Sequence, residues 1–383
     1  MAYAATHDVV IVGAGPAGAT AAYLLASEGV DVLVLEKCSV PRPKLCGGLL
    51  TVKTVQMLEY LFGDVRAGLR DGGALLDVVR DYELCYRQTT LCRDRSQQPF
   101  WFVRRDLYDH FLVAAAQDAG ARLSDGEKVD SVDLSDSTVH LSSGRTVRYG
   151  CLIGADGANS VTRRSLEFPS RSLARWRRNL AMAMECVVPH DRVGPYAGRP
   201  VIFFGYVNRG LCWAFPRGDR SVVGIGALPA AGSSVLVPAF RTFLGDLDID
   251  YRDVDIKGHP VPFGYPLPVP GGAGCLLVGD SAGFVDPIYG EGVFFAHYSA
   301  ALAARAVLDV LPGGTSPVPA YVASVRRTIL PRLHRRRRWR DVLYGSVRAF
   351  GRWPVKASLL LFGKDFVLRH IHADFARYKD ALA

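Results

Sequence analysis

The sequence predicts an α/β fold in which a doubly wound parallel sheet alternates along the chain with a β-rich portion, and helices close the C-terminal end. Three observations predict it. Residues 8–18 read as strand, glycine turn and helix start. Buried-strand runs recur at 32–35, 151–153 and 276–278. Aromatic, strand-rich stretches at 180–227 and 250–268 lie between them. With 383 residues the chain can bury a sizeable core and form about two domains.

Val9 to Val12 suits a buried parallel strand. Gly13, Gly15 and Gly18 follow at GxGxxG spacing, with Pro16 and Ala17 between the last two. Gly13 permits the tight turn, Gly15 lets backbone approach a pyrophosphate, and Gly18 lets the next helix pack on the strand. That helix, Gly18 to Ser27, points its N-terminal amides at phosphates, and Gly29 closes it. Val32 to Leu35 is the second strand, followed by Glu36 and Lys37. A carboxylate at Glu36 accepts both ribose hydroxyls and repels a 2′-phosphate, so FAD or NAD fits better than NADP.

Pro41 to Gly48 reads as a loop and Val52 to Phe62 as a helix. Residues 75–103 read as short strands ending at Phe100–Val103, and Arg104 to Asp118 as a helix. Residues 127–148 alternate and turn like a small β-meander. From Gly292 onward helices dominate. The strand ends at Asp156-Gly157 and at Asp280 are places where an Asp can hold a ribose or ribityl hydroxyl.

Composition narrows the partners. The net charge is +9, but residues 321–383 hold 15 Lys/Arg against 4 Asp/Glu, so the positive charge belongs to the tail. Its peak, Arg335, Arg336, Arg337, Arg338 and Arg340, suits an anionic membrane surface, with a solvated helix face as the plain alternative. No nucleic-acid motif accompanies the run, so no nucleic-acid partner is expected. No run approaches the roughly 18 apolar residues of a membrane span. The first strand begins too early to leave room for a signal peptide, and the eight cysteines form no CxxC pair. Reduced thiols are expected, in a cytoplasmic protein held peripherally on the inner face of the cell membrane. No metal cluster and no HExxH motif is present in the sequence.

The ordered set of motifs is more specific than any member of it. GxGxxG, then Gly154-Ala-Asp-Gly-Ala-Asn-Ser160, then Gly279-Asp-Ser-Ala-Gly283 resembles the FAD-dependent flavoproteins of the aromatic-hydroxylase type. Arg105-Asp-Leu-Tyr-Asp109 is similar to that superfamily's early-helix motif, which implies that Arg105 lies near the flavin pyrophosphate. Three further segments resemble the geranylgeranyl reductase family: Pro41-Arg-Pro-Lys-Leu-Cys-Gly-Gly48, Leu211-Cys-Trp-Ala-Phe-Pro216 with Gly224-Ile-Gly226, and Gly279–Gly292. Leu211 stands where that family usually has Tyr. The Trp-x-Trp-x-Ile-Pro pattern usual in halogenases is absent.

The resemblance implies a Rossmann-type FAD-binding domain from 1–72, 104–168 and 269–312. It implies an interleaved antiparallel β-sheet substrate domain from 73–103 and 169–268, and a basic helical C-terminal region, 313–383. It implies an FAD-dependent reductase that saturates double bonds of a prenyl lipid, prenyl diphosphate or prenylated quinone. The reductant would be NAD(P)H or a ferredoxin-like donor. Lys44, Cys46, Gly47 and Gly48 would lie beside the flavin, with Lys44 on phosphate and the Cys46 thiol orienting substrate or relaying a proton. Gly290 and Gly292 would admit the ring. The positive end of the helix Val293 to Leu308 would face it. Trp213, Phe215, Pro216, Phe263 and Tyr265 would line an apolar substrate cavity, and His297 is a further candidate there. The alternatives are an FAD-dependent monooxygenase of an aromatic or polyketide substrate, and a flavin- or lipid-binding protein with a silent site.

Overall fold

The computed structural model describes residues 5–229, 235–310, 313–362 and 375–382. The first half of the chain runs β1 (Ala5–Val12), α1 (Pro16–Ser27), β2 (Val32–Leu35), β3 (Leu49–Leu50), α2 (Val52–Phe62), α3 (Val65–Asp71), β4 (Leu75–Tyr86), β5 (Thr89–Val103), α4 (Arg105–Asp118), β6 (Arg122–Ser124), β7 (Val129–Asp133), β8 (Thr138–Leu141) and β9 (Thr146–Gly154). Then come α5 (Val161–Ser165), α6 (Ser170–Arg178), β10 (Leu180–Pro189), β11 (Val201–Phe204), β12 (Gly210–Arg217), β13 (Arg220–Ala227), α7 (Leu236–Gly245), β14 (Lys257–Pro262), β15 (Gly271–Gly272) and β16 (Cys275–Leu277). The chain continues through α8 (Val293–Leu308), α9 (Val318–Thr328), α10 (Leu330–Phe350) and α11 (Trp353–Phe362).

Two eight-stranded sheets result. The first has the order β15-β16-β9-β1-β2-β6, with β8 and β7 added beyond β9. Its centre is parallel: Val9 sits opposite Val32 on one side and Cys151 on the other. Val9, Val10 and Ile11 are fully buried there, as a strand covered on both faces requires. The second sheet has the order β14-β10-β13-β12-β11-β4-β5-β3. It is antiparallel except where β11 runs parallel to β4.

Several expectations change. Residues 75–103 are two long strands of 12 and 15 residues, not short ones. They pair as one hairpin whose register shifts let it bend. β3 lies inside the first expected nucleotide segment but pairs with β5 of the second sheet. Gly48, at φ +77°, makes this possible, because a Cβ there would overlap the Val103 carbonyl. The helices α6 and α7 were not anticipated.

The tail is not a detached basic arm. Tyr344 and Val347 of α10 and Val355 and Leu359 of α11 pack with Tyr82, Leu84, Phe100 and Phe204 of the second sheet. Leu330 and Leu333 join the core of the first. The expected membrane-facing arginine run is corrected accordingly. Arg340 is 1% exposed; its Nη1 donates to the Phe263 carbonyl at 2.6 Å and its Nη2 to Asn179 Oδ1 at 3.3 Å. Arg336 turns inward to an ion pair with the buried Asp286. Helical periodicity explains the split: positions 336 and 340 share the inner face, while Arg335 and Arg338 stay exposed beside Trp339 and Val342. Among the described residues, no helix is long and apolar enough to cross a membrane. Residues 363–374 of the expected C-terminal region lie outside the described residues.

Candidate active site

β1, β2, β9 and β16 end side by side, at the edge where open α/β sheets take ligands. Gly13 leaves β1 at φ +102°, and a Cβ there would lie 2.6 Å from the Ala155 carbonyl oxygen. A Cβ at Gly18 would overlap the Gly13 carbonyl oxygen, so close helix–strand packing needs glycine. Gly15 differs: the nearest atom to its Cβ position is Arg42 Nη2 at 3.8 Å, which leaves its outer side open. Pro16 begins α1 and is buried, as is Ala17.

The acids sit around this turn. Glu36 Oε2 accepts from the Ala14 N–H at 2.9 Å and from Arg42 Nη2 at 3.0 Å. Lys37 beside it is exposed. Asp156 Oδ2 accepts from the Val161 and Thr162 amides at 2.7 and 3.0 Å, capping α5. Its Oδ1 is buried with no partner. Gly157, at φ +74°, faces open space. A Cβ at Gly292 would lie 3.1 Å from Asp280 Oδ1, so the last two glycine motifs meet. Burial raises the Asp280 carboxyl, against the pull of Lys44 and Arg105. An open glycine backbone, a helix N-terminus and an unpartnered buried aspartate oxygen fit the diphosphate and hydroxyls of FAD.

The loop from Lys44 to Gly48 joins this crevice to the second sheet. Arg105 is held by Asp109 through contacts of 2.9 and 3.2 Å. Burial opposes its charge, but Asp109 and the neighbouring Cys46 keep its pKa raised. Lys44 Nζ lies 2.7 Å from His259 Nε2. Burial lowers the Lys44 pKa, and burial together with Lys44 pushes His259 down to about 4. The Cys46 N–H donates to Glu185 Oε1 at 2.8 Å, and Cys46 Sγ accepts from the Gly48 N–H at 3.4 Å.

The aromatic motif explains itself by register. Glu185 of β10 sits opposite Gly224 of β13, and Gly224 sits opposite Trp213 of β12. A Cβ at Gly224 would overlap the Trp213 indole, and one at Gly226 would lie 3.4 Å from its Cζ3. The two glycines are therefore the floor on which the indole lies. Gly47 lies at its Nε1 edge: a Cβ there would lie 2.7 Å from the Phe215 ring and 3.5 Å from Trp213 Nε1. Cys46, Gly47, Trp213 and Phe215 thus converge. The turn that carries Gly290 is clamped from outside. Asp286 accepts from the Ile288 and Tyr289 amides at 2.9 and 3.0 Å. Glu291 pairs with Lys53 at 2.5 Å.

Three expected substrate contacts are corrected. His297 is fully buried, with Nδ1 2.7 Å from Thr20 Oγ1 and Nε2 2.7 Å from the Tyr108 hydroxyl. Both nitrogens are engaged, and burial pushes its pKa down to about 3. It ties α8 to α1 and α4. Pro216 alternates onto the opposite face of β12 from Trp213 and Phe215, together with buried Cys212 and Ala214. Tyr265 is 4% exposed and packs in the core of the first sheet, whereas Phe263 belongs to the cluster against which Phe215 packs.

Three site residues escaped sequence reasoning: Arg42, Glu185 and His259. Glu185 had a signal, being a lone acid in the apolar run Leu180–Val188. Arg42 lay inside the Pro41–Gly48 motif, close in sequence to its partner Glu36, whereas His259 had no signal, since β14 brings it to Lys44 from far along the chain.

Comparison with known proteins agrees with an FAD-binding fold. Residues 6–192 match the FAD binding domain family. The chain is 32% identical to the menaquinone reductase of Mycolicibacterium smegmatis, over 78% of this chain and 75% of that one. It is 25% identical to the chloroplastic geranylgeranyl diphosphate reductase of Arabidopsis thaliana, over 84% and 71%. Its fold is similar to that of a geranylgeranyl bacteriochlorophyll reductase-like protein from Thermoplasma acidophilum. That likeness has a TM-score of 0.75 and 19% identity, and covers 100% of this chain and 96% of that one.

Proposed function

Because the chain belongs to the FAD-dependent oxidoreductases that include the menaquinone and geranylgeranyl diphosphate reductases, we propose that it saturates carbon–carbon double bonds of an isoprenoid. The substrate is a prenyl lipid, prenyl diphosphate or prenylated quinone. The observation that carries the reading is the Trp213 indole, laid on Gly224 and Gly226 with Gly47 at its Nε1 edge. An isolated prenyl chain offers no polar handle, so an apolar aromatic surface beside the cofactor must position it.

Reduced FAD, when bound, supplies hydride to one alkene carbon. The chain does the rest. Gly13, Gly15 and Gly18 with the α1 N-terminus take the pyrophosphate, and Arg105 and Lys44 supply positive charge near it. Glu36, Asp156 and Asp280 take ribose and ribityl hydroxyls. Gly157, Gly290 and Gly292 keep the ring's approach clear, and the α8 N-terminus offsets negative charge on it. Trp213 and Phe215 hold the prenyl chain and exclude water. Electrons come from NAD(P)H or a ferredoxin-like donor.

Anaerobic incubation of the reduced protein with a panel of prenyl lipids tests the reading. Mass spectrometry should find gains of two hydrogens per bond. Product that forms only with consumption of oxygen would overturn it in favour of a monooxygenase.

Cys46 orients the alkene beside the flavin in this reading. Cys46→Ala is expected to retain FAD and donor-to-flavin transfer, yet slow flavin-to-substrate transfer about tenfold or more. Rapid-mixing measurements separate the two half-reactions, and equal rates in both would return Cys46 to a packing role.

The exposed Arg335, Arg338, Trp339, Val342, Phe350 and Trp353 support peripheral binding to an anionic membrane on the cytoplasmic side. Changing Arg335 and Arg338 to Gln should weaken binding to anionic vesicles by about 1 kcal/mol per residue, more at low salt. Unchanged binding, or none in the parent, would leave these as solvated side chains.

A further inference from the structure

We propose that Glu185 is the proton donor of this site, delivering its proton from Oε2 to the alkene carbon that does not receive hydride. The inference rests on the reductase reading and names a group that the reading lacks. Glu185 is 8% exposed. Its Oε1 is occupied by the Cys46 N–H at 2.8 Å, while its Oε2 is buried without a partner. A buried carboxylate oxygen with nothing to satisfy it is costly, whereas a carboxylic acid O–H in that place is a proton ready for a ligand.

Position supports the assignment. Strand register puts Glu185, Gly224 and Trp213 in one row across β10, β13 and β12, on the face covered by the Cys46–Gly47 loop. Trp213 Nε1, in the same row, is also buried without a partner. Two unsatisfied polar atoms under one loop mark where a ligand completes the site. Cys46 is the other candidate donor; its sulfur accepts from the Gly48 N–H at 3.4 Å, and the Cys46→Ala and Glu185→Gln variants tell the two apart by which of them loses the pH dependence of transfer.

The charged and titratable groups around Glu185 come from every packed element. Lys44 and Cys46 belong to the loop, Arg105 to α4, Arg217 to β12, and Lys257 lies opposite on β14. Burial nevertheless dominates and pushes the carboxyl up to about 7, partly offset by the Cys46 amide and the three cations Arg217, Lys44 and Arg105. The acid is therefore substantially protonated near neutral pH. In the step itself the alkene π bond breaks and two C–H bonds form. Hydride comes from the reduced flavin, which loses two electrons, and the proton comes from Glu185. The carboxylate left behind is stabilised by those cations until water reprotonates it.

The variant Glu185→Gln keeps an oxygen for the Cys46 amide and removes the proton. Flavin content and donor-to-flavin transfer should stay as in the parent, which shows that the variant folds. Flavin-to-substrate transfer should fall about 10²- to 10⁴-fold, the range of general acid catalysis. In the parent that rate should decline as pH rises through about 7, because only the protonated acid donates. The variant should lose this dependence.

Infrared difference spectra of the oxidised protein give a readout without turnover. A carboxylic-acid carbonyl band should disappear between pH 6 and pH 8 in the parent and be missing from the variant. An unaltered band, or a variant with the parent's transfer rate and pH profile, overturns the donor role alone. A parent that forms no saturated product overturns the reductase reading, and the donor role with it. Should Glu185→Gln lack flavin, Glu185→Asp applies the same pH test with a carboxyl that is shortened but still titrates.

Discussion

Replacing Gly15 by valine is expected to give a folded, colourless protein. The reason lies in which glycine is chosen. A side chain at Gly18 would run into the Gly13 carbonyl, and one at Gly13 would meet Ala155. Either change would damage the strand–helix unit itself. At Gly15 the Cβ position meets only the tip of Arg42 at 3.8 Å, so the apoprotein can accept a side chain. The space it would fill is where the pyrophosphate backbone must come within hydrogen-bond reach of the amides. Loss of that approach should weaken FAD binding by roughly 100-fold or more, about 2.7 kcal/mol. Flavin released on denaturation, measured against protein with a matching melting curve, checks this. Full flavin content in a folded Gly15→Val protein would remove the turn from the cofactor site.

Gly224→Val should have the opposite signature: full flavin, little substrate turnover. The valine would push the Trp213 indole off the floor formed with Gly226. A Cβ position at Gly47 lies 3.5 Å from Trp213 Nε1, so a displaced indole would also disturb its contact with the Cys46–Gly47 loop. Overpacking of this kind costs about 1–3 kcal/mol of stability, a fall of several degrees in Tm. Misplacing the aromatic surface by even ~1 Å should slow flavin-to-substrate transfer by about 100-fold. Donor-to-flavin transfer should be unaffected, since the β1–α1 crevice is untouched. If both half-reactions keep their parental rates, Trp213 is ordinary sheet packing.

The nucleotide-binding half was legible because its causes are local. Val9–Val12, Gly13, Gly15, Gly18 and Glu36 lie within one strand–turn–helix–strand stretch, and each residue answers a need set by its immediate neighbours. The helices Val52–Phe62 and Val293–Leu308 have the limits expected from their apolar spacing and flanking glycines. Cys46, Trp213 and Phe215 were legible as motifs, though not as one contact surface.

What the sequence by itself determined is therefore the chain's local grammar: the glycine turn, the acids at strand ends and the order of the motifs that places it among FAD-dependent oxidoreductases. Tertiary structure alone decided which side chains share a space. His297 became a core strut because α8 packs on α1 and α4, where Thr20 and Tyr108 take both its nitrogens. Arg336 and Arg340 left the basic surface because α10 turns their side of the helix toward Asp286 and Phe263. Glu185 reached Cys46 across 139 positions because β10 lies beside β13 under the loop. Burial and long-range pairing depend on which elements meet, and spacing along one chain carries that information only for neighbours within a helix turn or a strand.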